Sequence, residues 1–174
     1  MKNVHIGLNN VIGKAYSAHT SYKVVSHDEV DTLAVDCDNI SISAFDPKLK
    51  LCAMESNDLL YKIIDKFDFN TKITYFSTAR VFESKKNDYE HYVKNKIKTE
   101  KSLIRNFKSV NVIYLPIVYD KKGKFLSKFL AQYFENLSKD IIQFDCSAVS
   151  SWNFVEAEEL IRLIHELPSF GINR

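Results

Sequence analysis

Tyr92 and Lys96 stand four residues apart in a stretch that reads as a helix, so both side chains project from one face. A phenol with an ordinary pKa of about 10 is a poor base at neutral pH. A neighbouring ammonium favours the phenolate and lowers that value. A tyrosine tuned in this way can exchange a proton with a substrate hydroxyl while hydride moves to or from a nicotinamide. Thr78, directly after an expected strand, offers a hydroxyl to bond and orient the same oxygen. Tyr-x-x-x-Lys also arises by chance in a chain with 9 Tyr, so the pair draws its meaning from context.

A second constellation is Gly7-x-x-Asn10-x-x-Gly13, between a short apolar strand and a helix. A glycine-rich turn at that place lets backbone amides and the helix dipole meet a pyrophosphate. Gly7 suits the tight turn and Gly13 suits close packing of helix on strand. Asn10 occupies the middle position, where a bare backbone is usual; it tolerates unusual dihedrals but adds bulk. By itself the motif reads equally well as a structural turn.

The elements that must carry these residues alternate. Val4-His5-Ile6 reads as a strand, and Val11, Ile12, Ala15 and Tyr16 repeat at helical spacing. Val24-Val25, Leu33-Ala34-Val35 and Ile40 to Ala44 read as short strands, with Asp36 to Asn39 a turn between the last two. Leu59, Leu60, Ile63, Ile64 and Phe67 mark an amphipathic helix with Ser56 or Asn57 as its cap. Ile73 to Phe76 is a strand, 83–88 a polar loop, and about Glu90 to Phe107 a long helix. Val110 to Val118 is a strand interrupted by Pro116. A helical stripe from Phe125 to Leu137, a strand at Ile141 to Phe144 and a helix through Leu160 to Leu167 follow. Strands alternating with helices predict a mostly parallel sheet covered on both faces, with ligands beyond the carboxyl ends of its strands. Gly7, Ser26, Ala44, Ser77, Thr78 and Pro116 are the positions that this rule selects.

Composition narrows the class. The 174 residues suit one domain with a core, and 45% hydrophobic with 26% charged residues is ordinary for a soluble protein. No apolar run approaches a membrane span and the start lacks a signal-peptide core, so no membrane partner is expected. Cys37, Cys52 and Cys146 are widely spaced, which argues for a reducing compartment and a cytoplasmic location rather than a disulfide framework. The net charge of +2 is too small to imply a nucleic-acid or membrane partner by itself. Lys94, Lys96, Lys98, Lys101, Arg105 and Lys108 crowd one helix, and a solvated face explains them better than a nucleic-acid surface. His5, His19, His27, His91 and His165 show no metal spacing, and no metal is expected; no Gly-x-Ser-x-Gly nucleophile turn occurs. Trp152 reads as a buried residue and His165 as a surface or core-edge one.

Phe76-Ser77-Thr78-Ala79-Arg80-Val81-Phe82, followed by Tyr92-Val93-Lys94-Asn95-Lys96 and Glu100, resembles the active-site segment of the extended short-chain dehydrogenases/reductases. These are nucleotide-sugar epimerases, dehydratases and reductases. Other segments resemble the family in the same order: Gly7 to Gly13, Asn57 opening a helix, Leu115 to Tyr119, and Trp152 to Leu160. The resemblance implies a Rossmann-like doubly wound α/β fold as one domain over 1–174, with a cofactor-binding core at 1–119 and a reduced substrate-binding part at 120–174.

It further implies Tyr92 as acid/base, Thr78 in the Ser/Thr position, and Lys96 as both the tuner of Tyr92 and a holder of the nicotinamide ribose. Gly7, Asn10, Ile12 and Gly13 fall at the pyrophosphate site, and Pro116 beside the nicotinamide. NAD or NADP is the implied cofactor, a nucleotide-activated sugar the substrate, surface-polysaccharide synthesis the setting, and a homodimer the assembly. The chain departs from the pattern at Asn10, at Phe82 where Tyr is common, at Leu115 where a basic residue is common, and in the shortness of the segment after Val25. Asp28 is the nearest acidic residue for an adenosine ribose. Those departures fit a second expectation, a catalytically inactive module that keeps the fold for binding or scaffolding.

Overall fold

The computed structural model describes residues 2–44, 53–82, 90–115, 117–119 and 154–166. The expected loop at 83–88, helix at 125–137 and strand at 141–144 lie outside the described residues, as do Pro116, Cys52, Cys146 and Trp152.

Five strands form one parallel sheet: β1 (Asn3–Ile6), β2 (Lys23–Val25), β3 (Asn39–Ile42), β4 (Lys72–Thr78) and β5 (Ser109–Leu115), in the order β2-β1-β3-β4-β5. β1 is the pivot: the chain leaves it toward β2 on one side and returns to β3 on the other, which makes a topological switch at the β1/β3 boundary. Side chains alternate across the pleat. Val4, Ile6, Ile40, Ile42, Ile73 and Tyr75 face one core with Leu59, Leu60 and Ile63 of α2 (Ala53–Lys66) and Leu103 of α3 (Glu90–Asn106). Phe76 and Leu115 face a second core with Ile12, Ala15 and Tyr16 of α1 (Val11–His19) and Leu160 and Ile161 of α4 (Ala157–Glu166). Helices therefore cover both faces, as doubly wound sheets require.

Three expectations change. Leu33 to Val35 is no strand: a 3-10 turn occupies His27–Thr32 and irregular backbone follows it. Ser26 and Glu29 close a capping box there, and Val30 and Leu33 turn inward to the core while Val35 is left 61% exposed. An apolar triplet was spent on packing rather than pairing, and β2 becomes the sheet edge. α2 begins at Ala53, so Ser56 and Asn57 lie inside it and neither caps it. The run from Val110 does not stay in one sheet: β5 ends at Leu115, and β6 (Ile117–Tyr119) lies outside the main sheet, paired in parallel with β7 (Phe154–Glu156), which leads directly into α4.

The basic helix also resolves. Lys94, Lys98, Lys101, Arg105 and Lys108 are exposed, whereas Lys96 is buried at 5% exposure. Among the described residues, no helix is long and apolar enough to cross a membrane.

Candidate functional site

The glycine turn sits at the carboxyl end of β1. Gly7 takes φ +143°, a region that L side chains rarely adopt, and a Cβ there would lie 2.4 Å from Ser43 Oγ and 3.2 Å from His5 Nε2. Its N–H and that of Leu8 both donate to the Val25 carbonyl, which ties the turn to β2. At Gly13 a Cβ would stand 2.0 Å from the Gly7 carbonyl oxygen, so only glycine allows the first turn of α1 to close on the loop. The backbone thus has the bareness that a pyrophosphate cradle needs at both positions. Ile12, also assigned to that cradle, is buried and packs in the second core.

Asn10 is the one large departure, and the structure gives it a defined place. It caps α1, its side-chain Oδ1 accepting the Gly13 N–H at 2.8 Å. Its Nδ2 donates across the switch point to the Ser43 carbonyl at 2.7 Å and to Ser43 Oγ at 3.0 Å. Beneath it lies a buried polar chain. His5, fully enclosed, has Nε2 2.8 Å from Ser43 Oγ and Nδ1 3.0 Å from Ser41 Oγ, and Ser41 donates to Tyr16 Oη at 3.0 Å. The His5 ring stacks on Tyr16 at 4.0 Å. Burial drives the His5 pKa down to about 3, so the ring is neutral, and drives the Tyr16 phenol up to about 12.

Sequence reasoning missed this chain, though its signal was present. Ser41 and Ser43 alternate with Ile40 and Ile42, which sends both hydroxyls to one face, and His5 pairs in register with Ser41 on the neighbouring strand.

The second cluster is at the carboxyl end of β4. Thr78 is the last residue of the strand, opposite Leu115. Tyr92 lies in the first turn of α3 and Lys96 one turn later, and α3 packs on β4. The Lys96 ammonium donates to the Phe76 carbonyl at 2.8 Å and stands over two rings, 4.8 Å from the centre of Tyr75 and 5.7 Å from that of Tyr92. The structure thus brings Lys96 and Tyr92 together, under a strand end that Thr78 terminates. Burial pulls the Lys96 pKa down to about 7, and the Glu100 carboxylate opposes that pull. Glu100, one turn beyond Lys96, accepts hydrogen bonds from Ser77 Oγ and from Tyr114 Oη at 3.0 Å. Ser77 has the strand parity that faces α3, and Thr78 has the opposite parity. Phe82 is 71% exposed, its ring 4.7 Å from that of Tyr114.

Asp28, the candidate for an adenosine ribose, lies in the 3-10 turn after β2 and pairs with His27 at 3.1 Å, its side chain largely in solvent. His165 sits against the Tyr16 and Tyr22 rings. It borders a cleft of about 740 Å³ with His19, Tyr22, Glu158 and Arg162, at the end of the sheet opposite the glycine turn. Among the described residues, no group of three or more His, Cys, Asp or Glu could hold a metal ion.

These features define a Rossmann-like, doubly wound α/β domain with two polar clusters at the carboxyl edge of its parallel sheet. Solved structures share that fold. The capsular polysaccharide assembling protein CapF of Staphylococcus aureus superposes with TM-score 0.63 at 15% identity, over 99% of this chain. The chain spans about half the length of CapF, 52%. The Bordetella bronchiseptica enzyme WbmH, solved in complex with NAD+, gives TM-score 0.63 at 18% identity, over 95% of this chain and 71% of its own. A dTDP-4-dehydrorhamnose reductase from Clostridium acetobutylicum gives 0.63 at 15%, over 95% of this chain and 69% of its own. The resemblance expected from the sequence therefore extends to the fold. No family model matches the sequence, and no curated protein matches it.

Proposed function

We propose that this chain is an NAD(P)-dependent enzyme of the extended short-chain dehydrogenase/reductase kind, acting on a nucleotide-activated sugar as an epimerase, dehydratase or reductase. The observation that carries the reading is the Lys96 ammonium held over the Tyr92 ring at the end of β4. It is supported by the fold shared with WbmH and with the dTDP-4-dehydrorhamnose reductase. A nicotinamide, when bound, supplies or accepts the hydride. On the protein side, Tyr92 removes the hydroxyl proton of the substrate as its carbon is oxidised to a carbonyl, and returns it on reduction. Thr78 orients that oxygen, and Lys96 favours the phenolate. Gly7, Ile12 and Gly13, with Asn10 between them, form the pyrophosphate end, and Lys96 and Pro116 the nicotinamide end.

Surface-polysaccharide synthesis is the setting suggested by CapF, a capsular polysaccharide assembling protein. We place the cofactor core at 1–119, a reduced substrate part at 120–174, the protein in the cytoplasm, and the assembly as a homodimer. Light scattering on the purified protein at micromolar concentration should return twice the mass of the 20.1 kDa chain; monomer alone removes the dimer.

The test of activity pairs a substrate screen with Tyr92→Phe. Removing a positioned acid/base should lower turnover by roughly 100-fold or more, with nicotinamide binding and thermal midpoint nearly unchanged. Equal activity in the variant takes Tyr92 out of the mechanism. A second reading, an inactive Rossmann module for binding or scaffolding, is favoured by one observation: Asn10 already occupies the Gly13 N–H. The absence of any thermal shift with NAD(H) or NADP(H) would give that reading the lead.

A further inference from the structure

The Asn10 carboxamide is committed at both ends. Its oxygen takes the Gly13 N–H, and its nitrogen spans the β1/β3 switch point to two acceptors on Ser43. The hydrogen-bond inventory below it runs in one direction. Ser41 donates to Tyr16, so its oxygen is left to accept the His5 Nδ1–H. Neutral His5 then carries no proton on Nε2, which accepts from the Ser43 hydroxyl at 2.8 Å, the shorter of that hydroxyl's two donor contacts; the other reaches Asn10 Oδ1 at 3.2 Å. The Ser43 oxygen accepts from Asn10. Reversing the carboxamide would set oxygen against the Ser43 carbonyl and an amine against the Gly13 N–H, so Asn10 is held in one orientation. The group sits between two glycines at which a Cβ would collide, at the middle position of the glycine motif.

The first N–H groups of a helix lack intrahelical partners and are the natural donors to an anion. In α1 one of these, Gly13 N–H, is already spent. We propose that Asn10 is an intramolecular latch on the phosphate-binding end of α1, which a diphosphate must displace from Gly13 and Ser43 in order to bind. The proposal rests on the dinucleotide reading given above and names how that site is regulated. His5, Ser41 and Tyr16 act through Ser43 as positioning residues for the latch. Affinity for a dinucleotide is accordingly weak in the native chain and is raised by whatever frees Asn10.

Calorimetric titration with ADP, NAD(H) and NADP(H) tests this on the full chain and on Asn10→Gly, which removes the cap and both bonds to Ser43. Asn10→Ser, too short to reach Ser43 while still able to cap, serves as the second variant if the glycine form fails to fold. The latch predicts ADP binding at least tenfold tighter in Asn10→Gly, with Asn10→Ser between it and the native chain. Native and variant chains binding ADP and a nicotinamide dinucleotide equally well would overturn the latch and leave the oxidoreductase reading standing. A gain for ADP with no nicotinamide dinucleotide bound by any form would keep the latch and sink the oxidoreductase reading. No binding of any of these ligands by any form would overturn both.

Discussion

The two polar clusters at the carboxyl edge of the sheet solve opposite problems. At the glycine turn the protein has buried a neutral His-Ser-Ser chain and closed it with Asn10, so every polar group is used internally. At the end of β4 it has buried a cation, Lys96, against a backbone carbonyl, two aromatic rings and a nearby carboxylate. The first arrangement holds a shape; the second stores charge beside a phenol. A fold alone does not distinguish these tasks, because both sites sit where ligands bind in such sheets.

The contrast should be plainest in acid. His5 has a folded pKa of about 3 against an ordinary 6.5, so the unfolded chain binds the extra proton across that window. Stability is therefore lost as pH falls from 6.5 toward 3, by an upper bound of roughly 5 kcal/mol. Denaturant midpoints of the native chain and His5→Gln at pH 7 and pH 4 check this. An equal loss in both chains would show that His5 does not set the acid response.

Gly13→Ala comes next, because its Cβ meets the Gly7 carbonyl backbone rather than a side chain that could swing away. A cost of about 3 kcal/mol is expected in urea unfolding. A cost under about 1 kcal/mol would mean that the turn relaxes and is less rigid than its hydrogen bonds indicate.

Lys96 responds at the other end of the pH scale. Its folded pKa of about 7 lies below 10.5, so the unfolded chain again binds more protons, and stability rises with pH between those values. From pH 7 to pH 9 the native chain should gain about 2 kcal/mol relative to Lys96→Met. Parallel curves would mean that Glu100 and the rings keep Lys96 charged, which is the better state for tuning Tyr92.

The smallest effect belongs to Tyr114→Phe, which removes one of two hydrogen bonds to Glu100. We expect a loss of about 1 kcal/mol in urea unfolding. A much larger loss would make Tyr114 a structural prop of the Lys96 site.

The parallel sheet and its doubly wound helices were legible because long apolar stripes have a clear period, as at Leu59 to Phe67 and along β4. Leu33 to Val35 misled, since three apolar residues cannot tell a strand from a packed turn and the capping box at Ser26 decides the matter locally. The Tyr92–Lys96 proximity follows from helical spacing alone. The His5–Ser43 chain does not, because it needs the β1/β3 register, a pairing between residues far apart in sequence. Spacing likewise marked Asn10 as an intruder in the glycine motif, and only the fold shows what it holds.

The contact between α1 and α4 has a consequence for how the molecule forms. One face of the sheet is covered by α2 and α3, whose partners among the described residues lie within residues 2–115, so that half can consolidate early. The other face needs α4, which follows β7 and packs on the first helix of the chain. Tyr16, Ala15 and Phe76 thus lack their contacts with residues 157–161 until α4 has been made. Such distant pairings slow folding and leave surface open to association meanwhile. During synthesis, the face carrying α1 is without its α4 partner until residues 157–166 have been made.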